Sequence, residues 1–167
     1  MINGRNLRSQ NSDGSTWSEQ FPTDSKTLLV FLRHFGCTFC RQTVALLKEF
    51  EPELKRRGVD KIVFVFHGAL DDAHEFFEER WPSVTAIHDP DLLYYRKFGV
   101  IRGTPRQLLG PRALIAGIKG LLSGHGIGRP KSDPFLMPGF FLLNGDVILK
   151  EFRPSHAGEM PTIEQLS

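Results

Sequence analysis

The chain has 167 residues, of which 40% are hydrophobic and 24% charged, a composition ordinary for one globular domain. Its formal net charge of +2 at pH 7 is too small to indicate a nucleic-acid-binding protein. It contains two cysteines, too few for a disulfide-stapled secreted fold, and no run of about 18 apolar residues that would predict a transmembrane helix.

The N-terminal segment is polar. Residues 1–20 contain no apolar run of the kind that forms an export signal, so we expect a loose segment and a cytoplasmic protein. Residues 21–167 are expected to form the single domain. In a reducing compartment, a close pair of cysteines is more often catalytic or metal-binding than structural.

The first part of the domain alternates between two hydrophobic patterns. Short apolar runs predict strands buried on both faces, and apolar residues at helical spacing predict helices between them. The predicted strands are residues 26–33, 61–68 and 84–89, and the predicted helices are residues 41–58, 71–81 and 91–99. Pro52 is expected to kink or divide the first helix. This order predicts an α/β domain with a central sheet that is parallel at least in part.

The C-terminal part has a different pattern. Residues 139–144 and 147–152 are apolar runs on either side of Gly145, which predicts an antiparallel hairpin with a tight turn. The sheet is therefore expected to be mixed, with helices flanking it. The last residues, 162–167, are expected to begin a short helix.

A basic, glycine-rich insert at about residues 101–135 separates these halves. From Leu92 to Ser132 there is no Asp or Glu but eight Lys and Arg, and apolar residues recur at helical spacing. The basic stretch 92–132 is compatible with a solvated face whose helix packs on the core, with a lid that walls the cysteine pocket and selects substrate, or with a membrane-surface element. Its glycines and moderate length argue against the last, so we do not expect contact with a membrane surface.

Both cysteines lie in the sequence "FLRHFGCTFCRQ", which runs from residue 31 to residue 42. A zinc site would need ligands beyond Cys37 and Cys40, and the six histidines form no finger-like pair, so no metal is expected. Two inert buried cysteines are a second interpretation. The third is a reactive pair, because a predicted buried strand ends just before it and a helix begins with it.

The reactive interpretation rests on electrostatics. Helix N-termini present free backbone N–H groups and a positive dipole end, which lower the pKa of a thiol. No acidic residue occurs from Ser25 to Lys48, whereas Arg33 and three further cations do, and His34 would add to them if protonated. We therefore expect Cys37 to be the attacking thiolate and Cys40, one helical turn further on, to be the resolving thiol.

A CxxC pair between a strand and a helix resembles the thioredoxin fold. "MPGFFLLNGDVILKEF" resembles the segment in which that fold places a cis-proline before its antiparallel hairpin. The resemblance implies a cis bond before Pro138, with Met137 facing the cysteines, and a backbone ready to pair with an extended substrate.

The chain also resembles the peroxiredoxin-like (AhpC/TSA-type antioxidant) branch of the thioredoxin superfamily, which includes prostamide/prostaglandin F synthase and peroxiredoxin-like 2 proteins. This rests on the cysteine segment together with "DPDLLYYRKFGV", "QLLGPRALIAG…GRPKSDPF" and "MPGFFLLNGDVI…FRPSHAG". It implies a thiol-dependent reductase of hydroperoxides, endoperoxides or protein disulfides, regenerated by thioredoxin or a glutathione-type reductant, without a bound cofactor.

The resemblance has departures at the site. Peroxiredoxins carry proline seven residues, and threonine or serine three residues, before the attacking cysteine; this chain has Val30 and His34 there. We take His34, Met137, Pro138 and Arg153 as candidate substrate-binding residues. A protein thiol–disulfide oxidoreductase and a redox-sensing module that binds a partner without turnover are the alternatives to a peroxide reductase.

Overall fold

The computed structural model describes residues 7–9, 24–124, 126, 128, 132–145 and 147–167, and for residues 7–9 it describes the backbone alone. The strands are β1 (Leu7–Ser9), β2 (Lys26–Phe31), β3 (Lys61–Phe66), β4 (Thr85–His88), β5 (Gly139–Asn144) and β6 (Val147–Phe152). The helices are α1 (Thr38–Arg56), α2 (Leu70–Arg80), α3 (Leu93–Lys97), α4 (Pro105–Leu109), α5 (Pro111–Leu122) and α6 (Ile163–Leu166).

The strands form one mixed sheet in the order β1-β4-β3-β2-β5-β6. The pairs β1–β4, β4–β3 and β3–β2 are parallel, whereas β5 runs antiparallel to β2 and to β6. The predicted α/β class and mixed sheet are therefore confirmed. Strand β1 lies within residues 1–20, so the expected loose segment is ordered at residues 7–9, where backbone pairing with the edge of β4 holds it.

Strand β2 is buried on both faces, and alternate side chains enter two separate hydrophobic clusters. Leu28 and Val30 pack with α1 and α2 on one face, and Leu29 and Phe31 pack with α3 on the other. The cysteines belong to the first cluster, which also contains Phe35, Phe66, Phe76 and Phe77 in ring contact. The site therefore lies on the α1 face of the sheet.

Helix α1 continues through Pro52, so this proline does not divide the helix, and the expectation of a kink there stays a prediction. A proline removes one backbone hydrogen bond and crowds the preceding turn. Buried side chains on both sides of it, Leu47 and Leu54, hold the two halves against the core, and this packing outweighs the local cost.

The chain enters β5 in an extended path. The amide of Met137 donates to the carbonyl of Ile101 at 3.1 Å, and the amide of Gly103 donates to the carbonyl of Phe135 at 2.8 Å. The peptide bond before Pro138 is trans, so the cis bond implied by the resemblance to thioredoxins is wrong. A short antiparallel pairing with residues 101–103 directs this segment into the strand without a sharp turn.

Two helices occupy the described part of the basic insert. Thr104 and Gln107 form a capping box that begins α4, and Gly110 separates α4 from α5. Helix α5 packs against α1. No helix among the described residues is long and apolar enough to cross a membrane.

Candidate active site

Cys37 is the N-cap residue of α1, with extended backbone angles (φ −79°, ψ 125°). A tight turn brings it there: its amide donates to the carbonyl of His34 at 3.0 Å. The amides of Cys40 and Arg41 in turn donate to the carbonyl of Cys37 at 3.1 and 3.2 Å, closing the first turn of the helix. The strand-to-helix position expected from the sequence is therefore the position found.

The two thiols are free, adjacent and buried. Cys37 is 7% exposed and Cys40 is 2% exposed. The thiol of Cys40 lies within hydrogen-bonding reach of the sulfur of Cys37. Cys37 is thus the outer sulfur, and Cys40 lies beneath it in the core, an arrangement that suits attack by one and resolution by the other.

Arg33 contacts both sulfurs. Its Nη1 donates to Sγ of Cys37 at 3.2 Å, and its backbone N–H donates to Sγ of Cys40 at 3.3 Å. Nε donates to the carbonyl of Leu136 at 2.8 Å and Nη2 to that of Pro134 at 2.6 Å. The guanidinium is buried and held on three sides, so its position beside Cys37 is fixed.

The surroundings drive the pKa values of the two thiols apart. A hydrogen bond from Cys40 lowers the pKa of Cys37 from its usual 9.0 to about 6, helped by the charge of Arg33 and by the helix amides, against the opposing effect of burial. Burial, and then the adjacent Cys37, raises the pKa of Cys40 well above its usual value. At neutral pH the outer sulfur is a thiolate and the inner sulfur is a protonated thiol.

His34 does not supply positive charge to this site. Burial, followed by the charge of Arg33, lowers the pKa of its imidazole to about 4, so it is neutral at pH 7. This corrects the suggestion that a protonated His34 favours the thiolate. Its Nδ1 is buried and makes no hydrogen bond with any residue that the structure describes.

A cavity of about 450 Å³ lies over Cys37. Its lining is mostly apolar, and the ionisable groups in it are Arg33, His34 and the sulfur of Cys37. The full lining consists of Arg33, His34, Gly36, Cys37, Thr38, Phe39, Leu108, Leu109, Gly117, Gly128, Pro134 and Phe135. Leu108 and Leu109 come from α4 and Gly117 from α5. The insert therefore forms one wall of the cavity.

The other candidate residues lie in different places. Met137 is buried in the same cluster as the cysteines, and its Sδ packs closely on Gly103. Pro138 follows it in the trans form. Arg153 lies on the opposite face of the sheet: its guanidinium donates to the carbonyls of Phe98 and Gly99 and stacks on Phe141. The structure therefore does not bring Arg153 to the cysteines.

Sequence reasoning missed the particular role of Arg33. It counted this residue among several nearby cations, although its place between the end of a strand and the start of a helix was visible. The contacts that orient its side chain come from residues 134 and 136, a hundred positions along the chain, and no local pattern predicts them. Among the described residues, no group of three or more His, Cys, Asp and Glu is placed to hold a metal ion.

The site therefore combines a thiolate, a protonated resolving thiol, a fixed guanidinium and a neutral imidazole beside an apolar cavity. Such a thiolate can attack an electrophilic oxygen or sulfur atom that enters the cavity. The guanidinium can stabilise negative charge on an atom bound next to the sulfur.

The sequence is similar to one family model and to two curated proteins. Residues 46–156 match the family model described as AhpC/TSA antioxidant enzyme; the two cysteines precede the matched range. A thioredoxin-like protein AAED1, chloroplastic, of Arabidopsis thaliana is 28% identical over 61% of this chain and 40% of its own length. A prostamide/prostaglandin F synthase of Salmo salar is 38% identical over 34% of this chain and 28% of its own length.

The chain thus spans less than half the length of these curated relatives. Among solved structures, the peroxiredoxin 6 of Arenicola marina superposes with a TM-score of 0.60 at 13% identity, covering 90% of this chain and 61% of that one. The expected thioredoxin-like fold is therefore confirmed.

Proposed function

The chain belongs to the AhpC/TSA antioxidant enzyme family, and we propose that it is a thiol peroxidase, in which Cys37 reduces a peroxide and Cys40 resolves the product. The single observation that carries this proposal is the hydrogen bond of 3.2 Å from Arg33 Nη1 to Cys37 Sγ at the cavity. It joins a reactive thiolate to a fixed positive charge at the point where a peroxide oxygen would enter.

The reaction begins with the Cys37 thiolate attacking the terminal oxygen of a hydroperoxide. The S–O bond forms as the O–O bond breaks, and two electrons pass from sulfur to the peroxide. The leaving alkoxide takes a proton from solvent and departs as an alcohol. Arg33 stabilises the negative charge that shifts from sulfur to oxygen in this step.

Resolution follows at the inner sulfur. Cys40 attacks the sulfenic acid at Cys37; the S–S bond forms, the S–O bond breaks, and water leaves with the thiol proton. The negative charge of Cys37 is one cause of the raised pKa of Cys40. Once Cys37 is a sulfenic acid this cause disappears, so Cys40 becomes easier to ionise when its attack is required.

His34 stands where peroxiredoxins have a hydroxyl. Its neutral imidazole lines the cavity, so we propose that the ring hydrogen-bonds the peroxide in place of that hydroxyl. Val30, at the position of the family's proline, is buried within β2. Met137 and Pro138 are proposed to contribute shape alone, since the extended segment that contains them borders the cavity at Phe135.

The burial of both cysteines weighs against a protein disulfide as substrate. With Cys37 7% exposed, its sulfur is harder to reach for a disulfide held in a folded protein than for a peroxide group on a narrow chain, which can enter the cavity. We propose that an external dithiol of the thioredoxin or glutathione type regenerates the pair. That requirement favours a reducing compartment such as the cytoplasm.

A stopped-flow experiment on the fully reduced protein tests the proposal. One equivalent of an alkyl hydroperoxide is mixed with wild type, Cys37→Ser and Cys40→Ser, and loss of thiol and formation of disulfide are followed. Wild type should consume peroxide far faster than a free thiolate and form one disulfide. Cys37→Ser should be inactive, and Cys40→Ser should stop at the sulfenic acid.

Two further arms separate the alternatives. Rapid exchange with an oxidised protein disulfide, combined with slow peroxide consumption, would replace the peroxidase with a thiol–disulfide oxidoreductase. One round of oxidation by peroxide with no turnover in the presence of thioredoxin and its reductase would indicate a redox-sensing module.

A further inference from the structure

Helix α5 presents its large apolar side chains to solvent. Leu122 is 83% exposed, and the other four large residues of this helix are between 43% and 62% exposed. The residues that face the rest of the protein are small, and Ala113 and Gly120 are the buried ones. A helix of this composition normally buries its large residues, so its orientation is reversed relative to an ordinary surface helix.

Close packing fixes this orientation. A Cβ atom at Gly120 would lie 2.7 Å from Cγ2 of Thr38, and a Cβ atom at Gly158 would lie 2.5 Å from Cβ of Ala116. The gap between α5 and its neighbours therefore admits only small residues. Rotation of the helix to bury its leucines would need space that is not there, so the exposed apolar face is a stable feature of the fold.

The exposed residues form one continuous arc. At 100° per residue, the arc covers about 120° of the helix surface. Its members, in order around the helix, are Leu121, Leu114, Ile118, Leu122 and Ile115. Arg112 and Lys119 border the arc beyond Ile115, and Gly117, which lines the cavity over Cys37, borders it beyond Leu121.

The charge around the arc is mainly positive, although the carboxylate of Glu159 lies near enough to Arg112 to interact with it. Arg106, Arg112 and Lys119 are exposed on α4 and α5, and no acidic residue occurs between Leu92 and Ser132. A surface that covers the arc must accept apolar side chains at its centre and cations at its edge. The interface of an anionic lipid bilayer has this arrangement, with acyl chains beneath negatively charged headgroups.

We propose that α5 docks on the surface of an anionic lipid bilayer. The arc enters the boundary between headgroups and acyl chains, and Arg112 and Lys119 bind the headgroups. Gly117 borders the arc and lines the cavity, so the cavity lies beside the docked face, and its lining includes the exposed apolar residues Leu109 and Phe135. This departs from the expectation of no membrane contact, which did not foresee that the small residues of the helix would face inward.

A vesicle co-sedimentation experiment tests the docking with the full chain in its reduced form. Vesicles are made of phosphatidylcholine alone or of phosphatidylcholine mixed with phosphatidylglycerol. The variants are Ile115→Gln with Leu122→Gln, to remove apolar contact, and Arg112→Gln with Lys119→Gln, to remove charge. Matched control variants are Leu93→Gln and Arg96→Gln on α3, which packs on the opposite face of the sheet.

We expect wild type to bind the mixed vesicles and to release them as salt is raised. Each cation removed should weaken partitioning roughly fivefold, and the apolar pair should weaken it at least roughly tenfold. The α3 variants should bind as wild type does. All these positions are exposed, and circular dichroism verifies that each variant is folded.

Three results would overturn the proposal: no binding to mixed vesicles, equal binding to both vesicle types, or equal loss in the α3 controls. Light scattering, which measures the oligomeric state, tests the alternative that a second copy of the chain covers the exposed face of α5. If the chain is a dimer that the α5 variants make monomeric, and lipid does not compete, the face belongs to a second copy. None of these measurements depends on peroxide chemistry, so failure of the docking and failure of the proposed peroxidase are separate results.

Discussion

Arg33 lies four residues before Cys37 and donates a hydrogen bond from Nη1 to its Sγ at 3.2 Å. The side chain reaches the sulfur because carbonyl oxygens of Pro134 and Leu136 hold its other two nitrogens. A charge fixed in this way favours the thiolate over the thiol and needs no reorganisation when charge moves from sulfur to oxygen.

Replacement of Arg33 with Gln should lower the reactivity of Cys37. A hydrogen bond to a charged group contributes about 1.5–3 kcal/mol, so we expect the rate of peroxide consumption at pH 7 to fall at least about tenfold. Arg153→Gln is the matched control, since Arg153 lies on the other face of the sheet. An Arg33→Gln protein that is folded and as fast as wild type would remove Arg33 from the mechanism.

The reactivity of Cys37 should follow its ionisation. The pKa of Cys37 is lowered to about 6, so alkylation by a neutral reagent should rise with pH, reach half its plateau near pH 6, and level off above pH 7. Cys40 contributes most to this lowering through its hydrogen bond. Cys40→Ala should therefore move the midpoint to higher pH, and Cys40→Ser, which retains a donor, should move it less. Equal midpoints in all three proteins would contradict this assignment.

Two glycines in α5 should respond to alanine in opposite directions. A Cβ at Gly117 would meet Phe39 at an ordinary distance of 3.7 Å, so Gly117→Ala should stabilise the fold by about 0.5–1 kcal/mol through helix propensity. A Cβ at Gly120 would clash with Thr38, and Gly120→Ala should cost about 1–3 kcal/mol. Urea unfolding measures both, and the same sign for the two variants would mean that α5 is not packed as described.

Asp89 should contribute strongly to stability. It is fully buried, and its carboxylate accepts hydrogen bonds from the amides of Leu93, Tyr94 and Tyr95 at 2.8–3.1 Å. Asp89→Ala leaves these donors without a partner, and we expect a loss of about 2–4 kcal/mol in the free energy of unfolding. Asp89→Asn retains one acceptor oxygen and should lose less. Thermal unfolding of the two variants checks the order.

The elements with a strong hydrophobic period were predictable from the sequence. Strands β2 and β5 are buried on both faces, and their runs of apolar residues identify them without reference to the rest of the chain. Helix α5 was predicted from apolar residues at helical spacing, but the direction in which its apolar face points was not predicted. The period shows that large residues share one face, whereas the close contacts at Gly120 and Gly158 decide which way that face points.

The site was predictable where it depends on local sequence. The position of Cys37 at the start of a helix follows from the strand before it and the helix after it. The placement of Arg153 and the trans bond before Pro138 depend on contacts with Phe98, Gly99 and residues 101–103, which are distant in sequence. The neutral state of His34 results from its burial, which composition does not reveal.

The anchoring of Arg33 by Pro134 and Leu136 has a consequence for biosynthesis. The cysteines emerge from the ribosome about a hundred residues before the carbonyls that orient the guanidinium, and loops of that length close late in folding. A nascent chain therefore lacks the fixed charge beside Cys37, and this cysteine acquires its full reactivity only when the second half of the domain has docked. Labelling of Cys37 at pH 7 by a small electrophile would thus report on completed folding, and a chain truncated before residue 134 should label slowly.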